Sequence, residues 1–134
     1  MPDIGAHWDK TEVSIQFNDI RKDIVSAGLH IYSCSLEEMW SGLYKPSVYE
    51  ANTLWSRSHD SGKIAKVIDA WVQERALSPI FLVKHLKLDL GLVADGKHRL
   101  TVSHAIEASE VPFMVESTNE SWVCRAFPSA SRLI

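Results

Sequence analysis

The spacing of hydrophobic and polar residues changes period several times along the chain, and each change predicts an element. In TEVSIQF, Val13, Ile15 and Phe17 alternate with polar neighbours, the period of a half-buried strand. Asn18 then stands at an N-cap position, Asp19 and Asp23 lie near the positive helix end, and Ile20, Ile24 and Val25 form an apolar stripe that stops at Gly28, so a helix is expected there. Two S-x-x-E pairs, Ser35 with Glu38 and Ser47 with Glu50, read as capping boxes opening short helices around Trp40 and Trp55, separated by Pro46, with both tryptophans in the core. Ile64, Val67, Ile68, Trp71 and Val72 then mark one face of an amphipathic helix capped by Asp60 or Ser61.

Beyond Pro79, the run IFLVK (Ile80 to Lys84) has strand length and predicts a buried strand. LKLDLGLV alternates Leu86, Leu88, Leu90 and Leu92 with other residues and predicts its hairpin partner, with His85 at the turn. After Asp95-Gly96, the segment HRLTVSHAIEA is apolar nearly all round and predicts a helix buried on several sides. VPFMV and SWVCRAF predict two more strands, joined by a polar turn from Glu116 to Glu120. No repeat or long linker interrupts the series, so a single α+β domain over residues 1–134, a small mixed β-sheet packed with helices, is the expected class.

Composition narrows the function more than the fold. The 134 residues carry 17 acids against 14 Lys and Arg, a formal charge of −3, which gives the molecule as a whole no electrostatic reason to seek nucleic acid or anionic membrane. Any anion site must be local. The acidic, polar start MPDIGAHWDKTE lacks an apolar leader, and no run approaches a membrane span, so a cytoplasmic protein without membrane contact is expected. Cys34 and Cys124 are isolated singles, expected as reduced, buried thiols.

The stretch VADGKHRLT supplies the local exception. It lies where a strand ends and a helix begins, where free backbone N–H groups and the helix dipole favour an anion and glycine admits a phosphate close to the backbone. Gly96 fits that place, Arg99 suits a bidentate grip on phosphate oxygens, Lys97 offers a mobile charge, and His98 a hydrogen bond or a proton. Asp95 would orient one of these cations or help hold a metal on a bound nucleotide. Lys84, His85, Lys87 and His104 are near in sequence and add to an expected basic corner. Other chemistries find less support: His98 and His104 are six apart and share no helix face for zinc, neither cysteine has a motif partner, and Ser103 lacks a nucleophile elbow.

The order of these segments from Lys63 to Val115, about 55 of the 134 residues, resembles the ParB/sulfiredoxin-like superfamily. The likeness rests on a helix leading into Pro79-Ile80-Phe81-Leu82-Val83, the Asp95-Gly96-Lys97-His98-Arg99 loop opening a helix, and Val111-Pro112-Phe113-Met114-Val115. Residues 1–55 match nothing in that pattern. The resemblance implies a ParB/sulfiredoxin-like fold in which the loop at Asp95, Gly96, His98 and Arg99 binds phosphate groups, of CTP in partition proteins and of ATP or ADP in sulfiredoxins and free-serine kinases, with Mg2+ where a nucleotide brings it. Lys97 stands where sulfiredoxins carry the catalytic cysteine, which argues against sulfinic acid repair. Thr101 occupies the second arginine position of partition proteins, and only 19 residues follow Val115, so a complete partition clamp is not expected. The loop is most similar to D-G-H-H-R of the free-serine kinases and to the D-G-Q-H-R family linked to regulation of DNA modification.

Two classes of function follow. One is a nucleotide- or phosphate-binding domain with weak phosphatase or phosphoryl-transfer activity, in which Asp95 and His98 handle metal or proton while Gly96, Lys97, His98 and Arg99 hold phosphate. The other is a non-enzymatic regulator of plasmid or phage type, related to proteins labelled ParB-like nucleases, with weak DNA contact or a protein partner. Glu12, Glu37, Glu38 and Glu50 lie upstream, but none sits in a motif that makes it a general base.

Overall fold

The structure, a computed structural model, describes residues 4–16 and 28–134. The helix expected between Asn18 and Gly28 falls almost wholly outside them, as does Phe17. The described elements are α1 (Glu12–Gln16), β1 (Leu29–Cys34), α2 (Leu36–Gly42), α3 (Ser61–Val72), β2 (Ile80–Lys84), β3 (Gly91–Asp95), α4 (Lys97–Ala105), β4 (Val111–Glu116), α5 (Glu120–Ala126) and β5 (Ser131–Arg132), with short 3-10 turns at Pro46–Tyr49, Ala51–Thr53 and Ser117–Asn119. They form an α+β protein on a mixed five-stranded sheet ordered β3-β2-β4-β1-β5.

The buried runs explain the order. β4 is buried at all five of Val111 to Val115 and takes the centre, antiparallel to β1 and parallel to β2 at Ile80↔Phe113 and Phe81↔Met114. Strand pleating sends alternate residues to opposite faces. Tyr32, Cys34, Ile80, Leu82, Val111, Phe113 and Val115 meet Met39 and Leu43 of the α2 region, Leu100 of α4, and Trp122, Val123 and Phe127 around α5. On the other face Leu29, Ile31, Phe81 and Met114 pack together with Ile15 of α1. A further cluster joins Ile64, Val67 and Trp71 of α3 to Val102 of α4 and the adjoining Ile106. Thus α4 is held by the sheet through Leu100 and by α3 through Val102, which accounts for its apolar residues on several sides.

Several expectations hold in detail. Asp60 caps α3, its Oδ1 accepting from Gly62 N at 2.8 Å and Lys63 N at 3.2 Å. Ser35 Oγ accepts from Glu38 N at 3.1 Å, while the Glu38 carboxylate turns to Ser129 N at 2.9 Å instead of closing the box. β2 has the bounds its apolar run predicts, and it forms an antiparallel pair with β3.

Several expectations are corrected. Within TEVSIQF, Glu12–Gln16 are helical as α1: Asp9 accepts from Thr11 N and Thr11 Oγ1, Ser14 Oγ donates to Asp9 O at 2.7 Å, and this polar network buries Ser14 while leaving Val13 54% exposed. Such local side-chain bonds offer the backbone an alternative to a strand. SWVCRAF is α5, because Trp122, Val123 and Phe127 share one buried helix face, a pattern that a seven-residue apolar run does not separate from a strand. Ser47 and Glu50 form no box; the chain makes 3-10 turns with Pro46 in the first position, and Trp55 is 62% exposed. In LKLDLGLV the strand begins only at Gly91, since His85 Nδ1 accepts from Lys87 N and Leu88 N at 3.1 and 3.2 Å, curling the chain into a loop with Leu86 95% exposed. Cys34 and Cys124 are both free; Cys34 is buried but Cys124 is exposed on α5. Among the described residues no helix is long and apolar enough to cross a membrane.

Gly42 ends α2 where the Phe127 ring occupies the space of a Cβ, whereas Gly28 has open space around it. Gly42→Ala is therefore expected to lower stability by about 1–3 kcal/mol through overpacking, and Gly28→Ala by less than about 0.5 kcal/mol. Urea unfolding of the two variants checks the contrast; equal midpoints would contradict the packing of Phe127 on α2.

Candidate functional site

Gly96 joins β3 to α4 with a φ of +96°, and a Cβ there would stand 2.8 Å from Ile80 Cγ2 and 3.1 Å from Ile80 Cα. Glycine is thus required twice, for the left-handed turn and for the close approach to β2. Gly96 is the N-cap of α4 and supplies no side-chain cap, leaving the first-turn N–H groups without one. Beside this corner α3 and α4 enclose a cleft of about 350 Å³ lined by Lys63, Lys66, Val67, Asp95, Gly96, His98 and Arg99.

Each residue of the DGKHR loop has its own environment. Arg99 Nη2 donates to Asp95 Oδ2 at 3.3 Å; the arginine side chain is only 18% exposed, and its Nε is buried without a hydrogen-bond partner among the described residues. The ion pair leaves most of the guanidinium fork uncommitted. Lys97 Nζ donates to Ser58 O at 3.0 Å and does not line the cleft. His98 Nε2 accepts from Asp60 N at 3.1 Å, which assigns the proton of the neutral ring to Nδ1. Burial, then the charges of Lys97, His59 and Lys63, hold the His98 pKa below the ordinary histidine range, against the pull of Asp60. His98 is therefore a neutral ring that braces the start of α3 and lines the cleft.

The broad basic corner expected from sequence divides into separate places. Lys84 pairs across the hairpin with Gly91, while Asp95 pairs with Phe81 at the other end, so Lys84, His85 and Lys87 belong to the far turn. There Lys84 Nζ donates to His85 O and Leu88 O at 3.0 and 3.1 Å. His104 lies at the opposite end of α4, stacked on Trp40 at 4.6 Å, with Nδ1 accepting from Ala51 N at 2.8 Å. Both histidines organise backbone. The cleft takes its additional charge from Lys63 and Lys66, neither of which has an ion-pair partner among the described residues.

Sequence reasoning overlooked those two lysines and also His59. Lys63 and Lys66 are three apart and fall off the apolar stripe of α3, so their common exposed side was legible. The element facing that side was not. His59 gives no local signal, yet it is buried with Nε2 3.0 Å from Val48 O, 3.2 Å from Thr53 Oγ1 and 3.3 Å from Thr101 Oγ1. Its ring meets that of His98 edge-on at 5.6 Å. Among the described residues no group of three His, Cys, Asp or Glu side chains could hold a metal ion. Asp95, already paired with Arg99, is the one carboxylate lining the cleft among the described residues, and carboxylate among cations is a poor seat for Mg2+ on its own.

No protein-family model, curated protein or solved structure matches the chain.

Burial is also the foremost cause lowering the His59 pKa, with Lys97 adding to it and the Val48 bond opposing. The unfolded chain therefore binds protons on His59 and His98 at a higher pH than the folded chain does. The associated stability is full above the ordinary histidine value of about 6.5 and is lost as pH falls toward the depressed folded values. Urea unfolding at pH 7.5, 6.5 and 5.5 should give declining stability, with a shallower decline for His98→Gln, which retains a neutral acceptor. Identical pH profiles for wild type and His98→Gln would remove His98 from this linkage.

Proposed function

We propose that the chain is a nucleotide- or phosphate-binding domain of the ParB/sulfiredoxin-like type, working in the cytoplasm and holding a phosphoryl group in the cleft between α3 and α4. The observation that carries this reading is the convergence of Lys63 and Lys66, without ion-pair partners among the described residues, with Arg99 at the start of α4, which has no side-chain cap. Phosphate oxygens would take N–H groups of the first turn, with Gly96 giving close access, and Arg99 would add charge-assisted bonds. His98 would contribute through Nδ1–H as a donor. Lys97 would act from outside the cleft, releasing or sharing Ser58 O.

The reading favours binding over turnover. Asp95 is paired with Arg99, and the free lone pair of His98 is occupied by Asp60 N–H, so neither residue stands ready to accept a proton. A regulator or interaction module that binds ATP, ADP or CTP, with any Mg2+ brought by the nucleotide, fits these partners better than a phosphatase or phosphotransferase. Contact with DNA through the same cations would be weak. With about four neutralised phosphates its affinity should fall with salt at a log–log slope near −3.6, and a salt-insensitive, nanomolar, sequence-specific complex would contradict the proposal.

Thermal unfolding in the presence of ATP, ADP and CTP, each with and without Mg2+, tests binding directly. A ligand at a hundredfold excess over its Kd stabilises by about 2.7 kcal/mol, so the melting temperature should climb with concentration for at least one of them. Arg99→Ala should weaken that ligand about ten- to a hundredfold, and Lys97→Ala should cost less. If Arg99→Ala bound as wild type does but melted much earlier, Arg99 would be a structural residue and the site reading would fall.

A further inference from the structure

The loop from His85 to Leu90, at the turn between β2 and β3, is held from several sides. Lys84 Nζ donates to His85 O and Leu88 O, His85 Nδ1 accepts from Lys87 N and Leu88 N, and the His85 ring meets that of Tyr44 at 4.7 Å. Arg125 donates through Nε and Nη2 to the two oxygens of Asp89, at 3.3 Å each. The effect is to raise Leu86 into solvent at 95% exposure, beside Leu88 at 44%. Two leucines are thus fixed outside the core, and a group already held in place loses less freedom on docking. Between them the exposed Lys87 ammonium has no ion-pair partner among the described residues, whereas the loop's one carboxylate, Asp89, is taken by Arg125.

At the other end of the sheet lies a pocket of matching character. β2 and β4 run parallel; the loop follows the last residue of β2, whereas Ile106 to Glu110 precede the first residue of β4. There Ile4, Ala6, Trp8, Ile106 and Ala108 give a pocket of about 340 Å³ an apolar lining, and Glu107 and Glu110 supply carboxylates. Glu110 is occupied, accepting from Lys10 Nζ at 2.6 Å and Ser33 Oγ at 2.7 Å. Glu107 is exposed and has no such partner among the described residues. Its backbone is fixed in a left-handed turn, φ +53°, in which Glu107 N donates to His104 O and Ala108 N to Ser103 O. The carbonyl end of α4 adds partial negative charge beside it. The residues outside the described ones, Asp3, Asp19 and Asp23 against Arg21 and Lys22, are nearly balanced in charge.

We infer that the loop and the pocket are the two halves of one contact between copies of this chain: Leu86 of one copy enters the apolar pocket of a second, and Lys87 is brought to the Glu107 of that second copy. Apolar surface meets apolar surface, and the cation at the tip meets the carboxylate at the pocket, so a second copy offers both features the loop needs. A single molecule cannot join its own halves, because they stand at opposite ends of the sheet. The contact pairs unlike surfaces, so each added copy brings a fresh loop and a fresh pocket until the assembly closes. It shares no residue with the cleft between α3 and α4 and does not depend on phosphate binding there.

Sedimentation equilibrium of the full chain from about 10 µM to 1 mM reads the contact, since a docked surface this small belongs with weak, transient interfaces. The mean mass should rise above that of the monomer across that range. Leu86→Ala and Glu107→Lys alter exposed residues, and unchanged urea midpoints would show that both variants fold. Each alone should weaken association at least about tenfold, the effect of losing one buried leucine or one charge-assisted contact. Mixed together they should regain it and stop at one copy of each, because Leu86→Ala keeps an intact pocket and Glu107→Lys an intact loop. Wild type that stays monomeric to about 1 mM, association that either variant leaves unchanged, or a mixture that associates no better than its components would overturn the inference. A monomer that instead binds vesicles of anionic lipid, and loses them in Leu86→Ala, would give the loop to a membrane surface and equally overturn it.

Discussion

At Gly96 the backbone turns through a left-handed conformation while lying so near Ile80 that any Cβ would strike the strand. Both demands must be met at one residue, and much else is placed by meeting them. Ile80 begins β2 and pairs with Phe113 of the central strand, so the start of α4 is referred directly to the parallel pair at the middle of the sheet. One turn on, Leu100 enters the core above the sheet, and Val102 and Ile106 then face α3. The position of α3 in turn sets where Lys63 and Lys66 stand. A side chain at 96 would raise α4 from the sheet and disturb this whole series of contacts, not only the turn.

The five residues of the loop divide their labour sharply for so short a segment. Lys97 and His98 both reach the chain leading into α3, one to a carbonyl and the other to an amide, and so tie the two helix starts together. Arg99 is left under-satisfied. An exposed ion pair is worth under about 1 kcal/mol, whereas a buried N–H without a partner costs about 1–3 kcal/mol. The 3.3 Å contact with Asp95 does not relieve Arg99 Nε, so the larger effect is the unmet one.

How far the sequence could be read depended on whether the signal was local. α3 showed through a long apolar stripe and an aspartate cap, β2 through an apolar run that follows Pro79, β4 through the apolar run VPFMV, and α4 through apolar residues nearly all round. The strand misreadings at Val13 and Trp122 share a cause: over five to seven residues, alternating and helical periods coincide, and the deciding contacts come from elsewhere in the chain. Ser14 is buried by its bond to Asp9 O, and Glu120 at the start of α5 accepts from Tyr32 of β1 at 2.8 Å. The site was legible in its loop but not in its extent. Proximity in sequence drew in Lys84, His85, Lys87 and His104, which the hairpin and the length of α4 carry away, and it omitted Lys63 and Lys66, which the helix pairing brings in.

Thr101 makes the same point: read in sequence, it is one more polar residue on a helix. In the fold, however, Thr101 is fully buried, donates to Lys97 O at 2.8 Å and contacts His59 Nε2 at 3.3 Å. A guanidinium placed there would be forced into the packing between α4 and the segment around His59, where an unpaired charge is costly. The surrounding structure is therefore built for a small hydroxyl, and the cleft's cations other than Arg99 stand on α3. Lys63 and Lys66 approach the cleft from solvent at the surface of a helix, so they add positive charge without the desolvation a buried arginine would incur. The cleft's electrostatics consequently depend on the pairing of α3 with α4, and a disturbance of Val67 or Val102 would reach the cleft through that pairing without touching the loop.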